Sequence, residues 1–545
     1  MRSALGLLVT LSLAGLATGC VIISGDDEGA GGGGGGGGNV QDDPCMGVPT
    51  TGVCLDDSTI QSCLVSHNND GDPPQIIEVT CESNELCTIG VNGAECQLQG
   101  DCYPGESRCA DSSTLQTCAD GSWVDTPCGS DACLAQPGLG AQCLSNEGST
   151  GLSLSGHLEF EFLKPNASLT DFEETPSQQP GFDFIVTVYD LTDNALIGLG
   201  ITSPGAGGMN PGDWQVELER EVNENSFVYF WPILFDQSGQ PVFGVAEAES
   251  DDAIHQSSTA YYVWGFPACI DEGGDGTCDD NTGTQLIDIA SNSGVANIYQ
   301  WMDYGYFRFQ EALPSVTPLS FAIYWSPEVA FNCCSCFVPP VGGGADVIYD
   351  QANGLKDHFA TSINISGTPS SPTHWAKSVI NHEFGHWSMQ SYTKSPGEGG
   401  VHYVDAASKA GLSYSEGYAT FIGQTQISNS PSDNDPIYFT KKNGTTFWVD
   451  ISKNTWSGGT LEPPDPNGPL DQDINENIVS SMFWSFWADN NAVAPQGVGE
   501  QPLLNALRSQ RLLANEAYNR GYHTVDMVDY LDALKCGGHA TQGQI

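Results

Sequence analysis

Positive charge is what this chain has least of. Its 545 residues carry 16 Lys and Arg against 68 Asp and Glu, a formal net charge of −52. Such a surface repels phosphates, which argues against nucleic acid as a partner. It has no attraction for anionic lipid headgroups either. A solvated acidic exoprotein surface is the expectation. Long apolar runs are missing after the first twenty residues, and none approaches the ~20 residues that a membrane-spanning helix needs. Cys-x-x-Cys pairs are missing from the cysteine-dense stretch between Cys45 and Cys143, which argues against zinc knuckles there. A chain of this length is too long for one core, so two to four domains are expected.

Residues 1–20 read as a targeting segment, with Arg2 as the leading charge and an apolar run from Leu5 to Ala17. The run Leu16-Ala17-Thr18-Gly19-Cys20 follows. It resembles a bacterial lipobox, with Ala17 where a larger aliphatic residue is usual. The resemblance implies a lipid on Cys20 and a protein anchored to the bacterial cell envelope, surface-exposed or periplasmic. Ordinary signal-peptide cleavage after Gly19 is the alternative. Of 19 Cys, removing Cys20 leaves an even number to pair, which favours lipidation. Residues 21–44 then form a linker whose unbroken glycines, Gly31 to Gly38, make a flexible tether.

The twelve cysteines from Cys45 to Cys143 fall into two sets of six, and the words match: Cys54-Leu-Asp-Asp-Ser-Thr-Ile-Gln-Ser-Cys63 against Cys109-Ala-Asp-Ser-Ser-Thr-Leu-Gln-Thr-Cys118. We read a tandem repeat, 45–98 and 99–146. Each unit is too small to bury an adequate core, so disulfides are expected to staple it. From 147 to 250 alternation takes over, as in Phe182-Asp-Phe-Ile-Val-Thr-Val-Tyr-Asp190. Short alternating runs separated by turn signals predict a β-sandwich. The acidic loop between Cys269 and Cys278 is expected to close by a disulfide. Its Asp271, Asp275, Asp279 and Asp280 are a candidate Ca²⁺ site, although the spacing is not that of an EF-hand. Cys333, Cys334 and Cys336 form a cluster expected to be disulfide-bonded, with one bridge reaching Cys536.

The chemistry concentrates at His382-Glu383-Phe384-Gly385-His386. On a helix the two histidines stand one turn apart on one face. Two imidazoles at that spacing can reach one metal ion, and a neighbouring carboxylate completes the equipment for cleaving an amide with water. Helical context is credible: Ser371 is a candidate cap, Pro372 suits a first turn, and Trp375, Val379, His382 and His386 share a stripe. The upstream run Phe359–Ser366 alternates like an edge strand able to take an extended peptide. For the third ligand, no His-x-x-Gly-x-x-His extension is present. Glu416, in Ser415-Glu416-Gly417-Tyr418-Ala419-Thr420, stands among small residues that allow two helices to approach closely.

His-Glu-Phe-Gly-His followed by Ser-Glu-Gly-Tyr-Ala resembles the gluzincin metallopeptidases, loosely those like thermolysin and fungalysin. Over about 350–535 the resemblance implies an α+β zincin-like catalytic domain, here taken as 251–545, at the end of a multidomain chain of disulfide-rich repeats and a β-sandwich. It implies Zn²⁺ on His382, His386 and Glu416, a water on the metal as nucleophile, and Glu383 as general base in peptide-bond hydrolysis. The stretch Asn475-Glu476 to Asp489 resembles the fungalysin Gly-Glu-x-x-x-x-x-Leu-Trp. Fungalysin-like sequences carry an oxyanion-stabilising His four residues before that Glu, and Gln472 stands there. Gln472, His402, His523, Tyr403 and Tyr438 are candidate substitutes. Two other readings compete with an exported, lipid-anchored endopeptidase: a non-enzymatic adhesion lipoprotein with a vestigial zinc site, and a zinc hydrolase of peptidoglycan.

Overall fold

A computed structural model describes residues 152–540 except 206–207, 237–240, 251–256, 259, 271–277, 280, 332–334, 340–345, 351–354, 397–401, 403–406, 426–435, 454, 461–473, 489–499, 510–511 and 513–524, together with the strands lying within 53–144. Cys20 and the glycine linker lie outside the described residues. No helix among those described is long and apolar enough to cross a membrane.

The cysteine-rich segment is built of strands. Val53–Asp56, Thr59–Leu64 and Gln75–Thr80 make a three-stranded antiparallel sheet, and Ser107–Asp111, Thr114–Ala119 and Ser122–Pro127 make its counterpart. A hairpin follows each, Glu85–Gly90 with Gly93–Leu98 and Ala132–Gln136 with Gly140–Leu144. The repeated words thus mark a repeated sheet-plus-hairpin unit. Cys54–Cys87 ties sheet to hairpin in the first unit, and Cys128–Cys143 does so in the second. The buried cluster described in this segment is Cys128, Cys133 and Ala141. Cross-links stand where a larger domain would place apolar side chains.

Beyond residue 152 the strands in chain order are β1 (Ser153–Phe162), β2 (Ser177–Pro180), β3 (Ile185–Asp190), β4 (Ala195–Ile201), β5 (Asp213–Glu217), β6 (Ser226–Trp231), β7 (Ile233–Phe235), β8 (Pro241–Glu247), β9 (Trp264–Pro267) and β10 (Asn281–Ile287). One sheet runs β2-β1-β5, with β10 parallel to β1; a second runs β4-β3-β6-β9. Alternation buries one side of each, and Trp214 of the first sheet meets Phe230 of the second edge-on, centroids 5.8 Å apart. β7 and β8 leave this pair and open a third sheet. Strands from both sides of residue 250 therefore share each layer.

That third sheet has the order β7-β8-β11-β13-β12, with β11 (Phe321–Ser326), β12 (Cys336–Val338) and β13 (Thr361–Ser366). β8, β11 and β13 are parallel, and β12 closes the edge antiparallel. The strand expected at the edge, β13, is thus interior: all six of its residues are buried, and β12 takes the edge. The alternation in Phe359–Ser366 separates two buried faces rather than a buried from a wet one. Helices α1 (Ser293–Ala312) and α2 (Lys377–Tyr392) cover one face, where Phe321 packs on Trp387 at 4.7 Å and Phe309 on Phe384 at 5.7 Å. Each such fully buried aromatic contributes roughly 1.5–3 kcal/mol. The chain continues through α3 (Ala410–Thr425), the hairpin β14 (Ile437–Lys442) and β15 (Thr445–Asp450), and helices α4 (Glu476–Trp487), α5 (Glu500–Leu507) and α6 (Met527–Cys536).

Two expectations about ends fail. Ser371 does not cap α2: its hydroxyl accepts from Asn443 N at 3.1 Å. A single 3₁₀ turn, Thr373–Trp375, intervenes, and α2 begins at Lys377 behind Ala376 without a side-chain cap. Nor does Cys536 pin the C-terminus. It ends α6 exposed and forms no disulfide, while Cys336 is disulfide-bonded. Cys269–Cys278 closes the acidic loop as expected. Asp271, Asp275 and Asp280 lie outside the described residues, and Asp279 follows Cys278 with its backbone N–H donating to Ile270 O at 2.7 Å.

Candidate metal centre

α2 and α3 cross at the site, and small residues let them. A Cβ on Gly385 would stand 2.7 Å from Ala419 Cα, and one on Gly423 would stand 3.0 Å from Ser378 O. Both distances are too short for a larger residue without displacement of backbone. Gly385 is the fourth residue of the His-Glu-x-x-His run, so the motif carries its own clearance. α3 is covered on its other side by α4, where a Cβ on Gly417 would meet Val479 at 2.5 Å. Residues 411–425 are buried without exception.

At this crossing His382 Nε2, His386 Nε2 and Glu416 Oε2 converge. Each histidine nitrogen is 3.2 Å from the carboxylate oxygen, and the two nitrogens are 3.1 Å apart. All three side chains are buried. A tetrahedral zinc ion with bonds of about 2.0–2.1 Å keeps its ligands about 3.3–3.4 Å apart, so the donor set fits a metal of that size with little adjustment. The opposite ring nitrogens are held as well. His382 Nδ1 lies 3.1 Å from Thr420 Oγ1, and His386 Nδ1 lies 3.2 Å from Ser415 Oγ. When those hydroxyls accept from Nδ1–H, both Nε2 lone pairs face inward. One helix thus supplies the carboxylate ligand and, at positions −1 and +4 from it, both orienting hydroxyls. Burial pulls the His382 imidazole below its ordinary range, which favours the neutral form a metal needs. Burial works against an ionised Glu416, but His402 and His386 hold its carboxyl well below the usual range.

Glu383 sits on the same helix, 1% exposed, and its Oε2 accepts the backbone N–H of Phe337 in edge strand β12 at 2.8 Å. Burial, then the charge of Glu416, push this carboxyl well above its ordinary value. Of the proposed substitutes for the missing histidine, His402 is brought to the site. Its Nδ1 is 2.5 Å from Glu476 Oε2, its Nε2 is 3.7 Å from Glu416 Oε2, and no hydrogen-bond partner among the described residues occupies Nε2. Burial opposes its charge, but Glu416 and Glu476 overcome this and lift its pKa to about 9. Tyr438 reaches the site's flank, its ring 5.9 Å from that of His382; burial holds its phenol well above the usual range. Gln472, His523 and Tyr403 lie outside the described residues. The sequence reading missed Ser415 and Phe337, and did not see Glu476 as the partner of His402. Ser415 and Thr420 had a signal, since positions −1 and +4 from a ligand flank it on a helix. Phe337 had none, because it contributes a backbone N–H from a different element.

The chain matches no family model, no curated protein and no solved structure.

Proposed function

We propose that this protein is a zinc-dependent endopeptidase of gluzincin type, with a zincin-like arrangement of α2 and α3 against the β7-β8-β11-β13-β12 sheet. The observation that carries the proposal is the convergence of His382, His386 and Glu416 with Glu383 beside them. His382, His386 and Glu416 would hold Zn²⁺, which supplies Lewis acidity towards a scissile carbonyl and towards water. Glu383 does the proton work. Its Oε2 is engaged with Phe337 N–H, so Oε1 is the atom placed to take a proton from the attacking water and pass it to the leaving amine nitrogen. Burial raises the proton affinity of this carboxyl, as a base must have. His402, oriented by Glu476, presents Nε2–H to the oxygen on which negative charge develops.

The test is hydrolysis of casein by the full chain with and without a chelator, beside the variant Glu383→Gln. Cleavage abolished by chelation, restored by Zn²⁺ and absent from a zinc-loaded Glu383→Gln supports the reading. Chelator-insensitive cleavage, full activity of the variant, or a zinc-loaded wild type that leaves casein intact overturns it; activity on murein alone assigns the site to another polymer. A lipid anchor at Cys20 completes the proposal, and mass spectrometry of the mature N-terminal peptide tests it.

A further inference from the structure

Away from the metal centre, a cavity of about 420 Å³ opens between the loop after β1, the start of α1, the end of β11 and the 3₁₀ turn before α2. Ligand sites commonly span about 300–1,000 Å³. Its wall is aromatic and buried: Trp325, His374 and Trp375 are 2%, 6% and 8% exposed. The rings follow one another, with centroids 5.2 Å apart for Trp325 and His374 and 4.4 Å apart for His374 and Trp375. Glu173 and Glu174 line the cavity too and are exposed, so carboxylates stand at its mouth. Lys441, the cation among the lining residues, is taken up by Asp171 at 2.7 and 2.8 Å.

Two ring nitrogens stand in this wall with opposite roles. Trp325 Nε1–H is buried and has no hydrogen-bond partner among the described residues. Gly367 lines the cavity beside it, and a Cβ there would stand 2.6 Å from that nitrogen. A buried donor without an acceptor is costly, and a ligand oxygen would satisfy it. His374 Nδ1 lies 3.5 Å from Ser366 O. A carbonyl only accepts, so Nδ1 carries the hydrogen and Nε2 the lone pair. Burial keeps this ring neutral, lowering its pKa to about 3. A Cβ on Gly294, the second residue of α1, would stand 3.2 Å from that Nε2. Glycines at 367 and 294 thus keep side chains off one donor and one acceptor.

We propose that this cavity binds a neutral sugar, a single pyranose residue either free or at the end of a glycan. A hydroxyl both donates and accepts, so neighbouring sugar hydroxyls accept from Trp325 Nε1–H and donate to His374 Nε2. The C–H face of the pyranose lies against the aromatic wall, whose ring faces carry partial negative charge. Glu173 and Glu174 accept from hydroxyls nearer the mouth. They also repel an anionic ligand, for which Lys441 is not available. A simple organic cation would suit the mouth but would leave Trp325 Nε1–H without an acceptor. Sugar binding here is separate from hydrolysis at the metal centre, and either can fail without the other.

The test is isothermal titration of the full chain with the methyl glycosides of glucose, galactose, mannose and N-acetylglucosamine, and with oligosaccharides ending in the same residues. At least one glycoside should bind with a Kd below about 10 mM. Trp325→Phe keeps a ring but loses the N–H, and should weaken that binding about five- to tenfold. An oligosaccharide that binds more tightly than its glycoside marks a glycan as the source; equal affinity marks the free sugar. Methyl glucuronide should bind at least about threefold more weakly than methyl glucoside at low salt, and Glu173→Gln with Glu174→Gln should close that gap. Both glutamates are exposed, so this variant decides the matter should Trp325→Phe fail to fold. Binding of no glycoside, binding indifferent to Trp325→Phe, a gap indifferent to the double variant, or binding of butylammonium in place of the sugars overturns the proposal.

Discussion

The cysteine-rich repeats and the half of the chain with the candidate metal centre hold themselves together by different means. In the repeats, the described buried cluster is Cys128, Cys133 and Ala141, and stability comes from covalent bonds closing short loops. Around the metal centre, a single apolar cluster runs from the strands β1 to β6 through α1 and α2 to α6, and the functional groups sit inside it. A disulfide framework tolerates change between its cysteines, so it suits a spacer. A packed core fixes side chains to within tenths of an ångström, which a metal centre needs. The candidate metal centre lies in the half held chiefly by packing, although that half also carries the Cys269–Cys278 bridge and a disulfide-bonded Cys336.

That comparison predicts effects of decreasing size. The largest is Glu383→Gln, which changes no ligand: peptidase activity should fall by about 10²–10⁴-fold while zinc content, read by atomic absorption, stays at the wild-type value. Next is the paired replacement Cys128→Ser with Cys143→Ser. It should cost the second repeat about 2–5 kcal/mol, seen as faster hydrogen exchange in Thr114–Ala119, with metal affinity unchanged. A matching loss of metal affinity would mean that the two halves are not independent. Thr420→Val should weaken metal binding by about 10–100-fold in chelator competition, and Thr420→Ser should restore it; equal affinity in both variants would remove the hydroxyl from the orienting role. The smallest effect belongs to the partly exposed pair Lys441–Asp171, which joins β14 to the loop after β1 at 2.7 Å. Lys441→Met should change stability by no more than about 1 kcal/mol, because Phe172 and Phe439 still meet edge-on beside it at 5.3 Å.

Much of the site was legible because it is local. The i, i+4 histidines, Glu383 between them and the small residues around Glu416 all follow from helical spacing. Alternation announced the strands of the two facing sheets for the same reason. Long-range choices were less legible. That β13 is interior and β12 the edge depends on which strands pair, and three residues such as Cys336–Val338 carry almost no pattern. The start of α2 at Lys377 was hidden because Ser371 found a partner in Asn443, 72 residues away. The bridge expected at Cys536 failed for a related reason: parity counts cysteines but does not place them.

By itself, the sequence determined the charge, the paired cysteine repeats, the metal-ligand spacing on one helix and the clearance that Gly385 provides. These depend on residue identity and on periods of two or 3.6, which the chain states directly. The tertiary structure alone decided that Glu416 meets the two histidines, that Thr420 and Ser415 orient them, that Phe337 holds Glu383, and that His402, paired with Glu476, is the imidazole beside the ligands. Each is a contact between residues at least 14 apart in the chain, His402 and Glu416 being the nearest pair, set by how helices and sheets pack, and no local period records it.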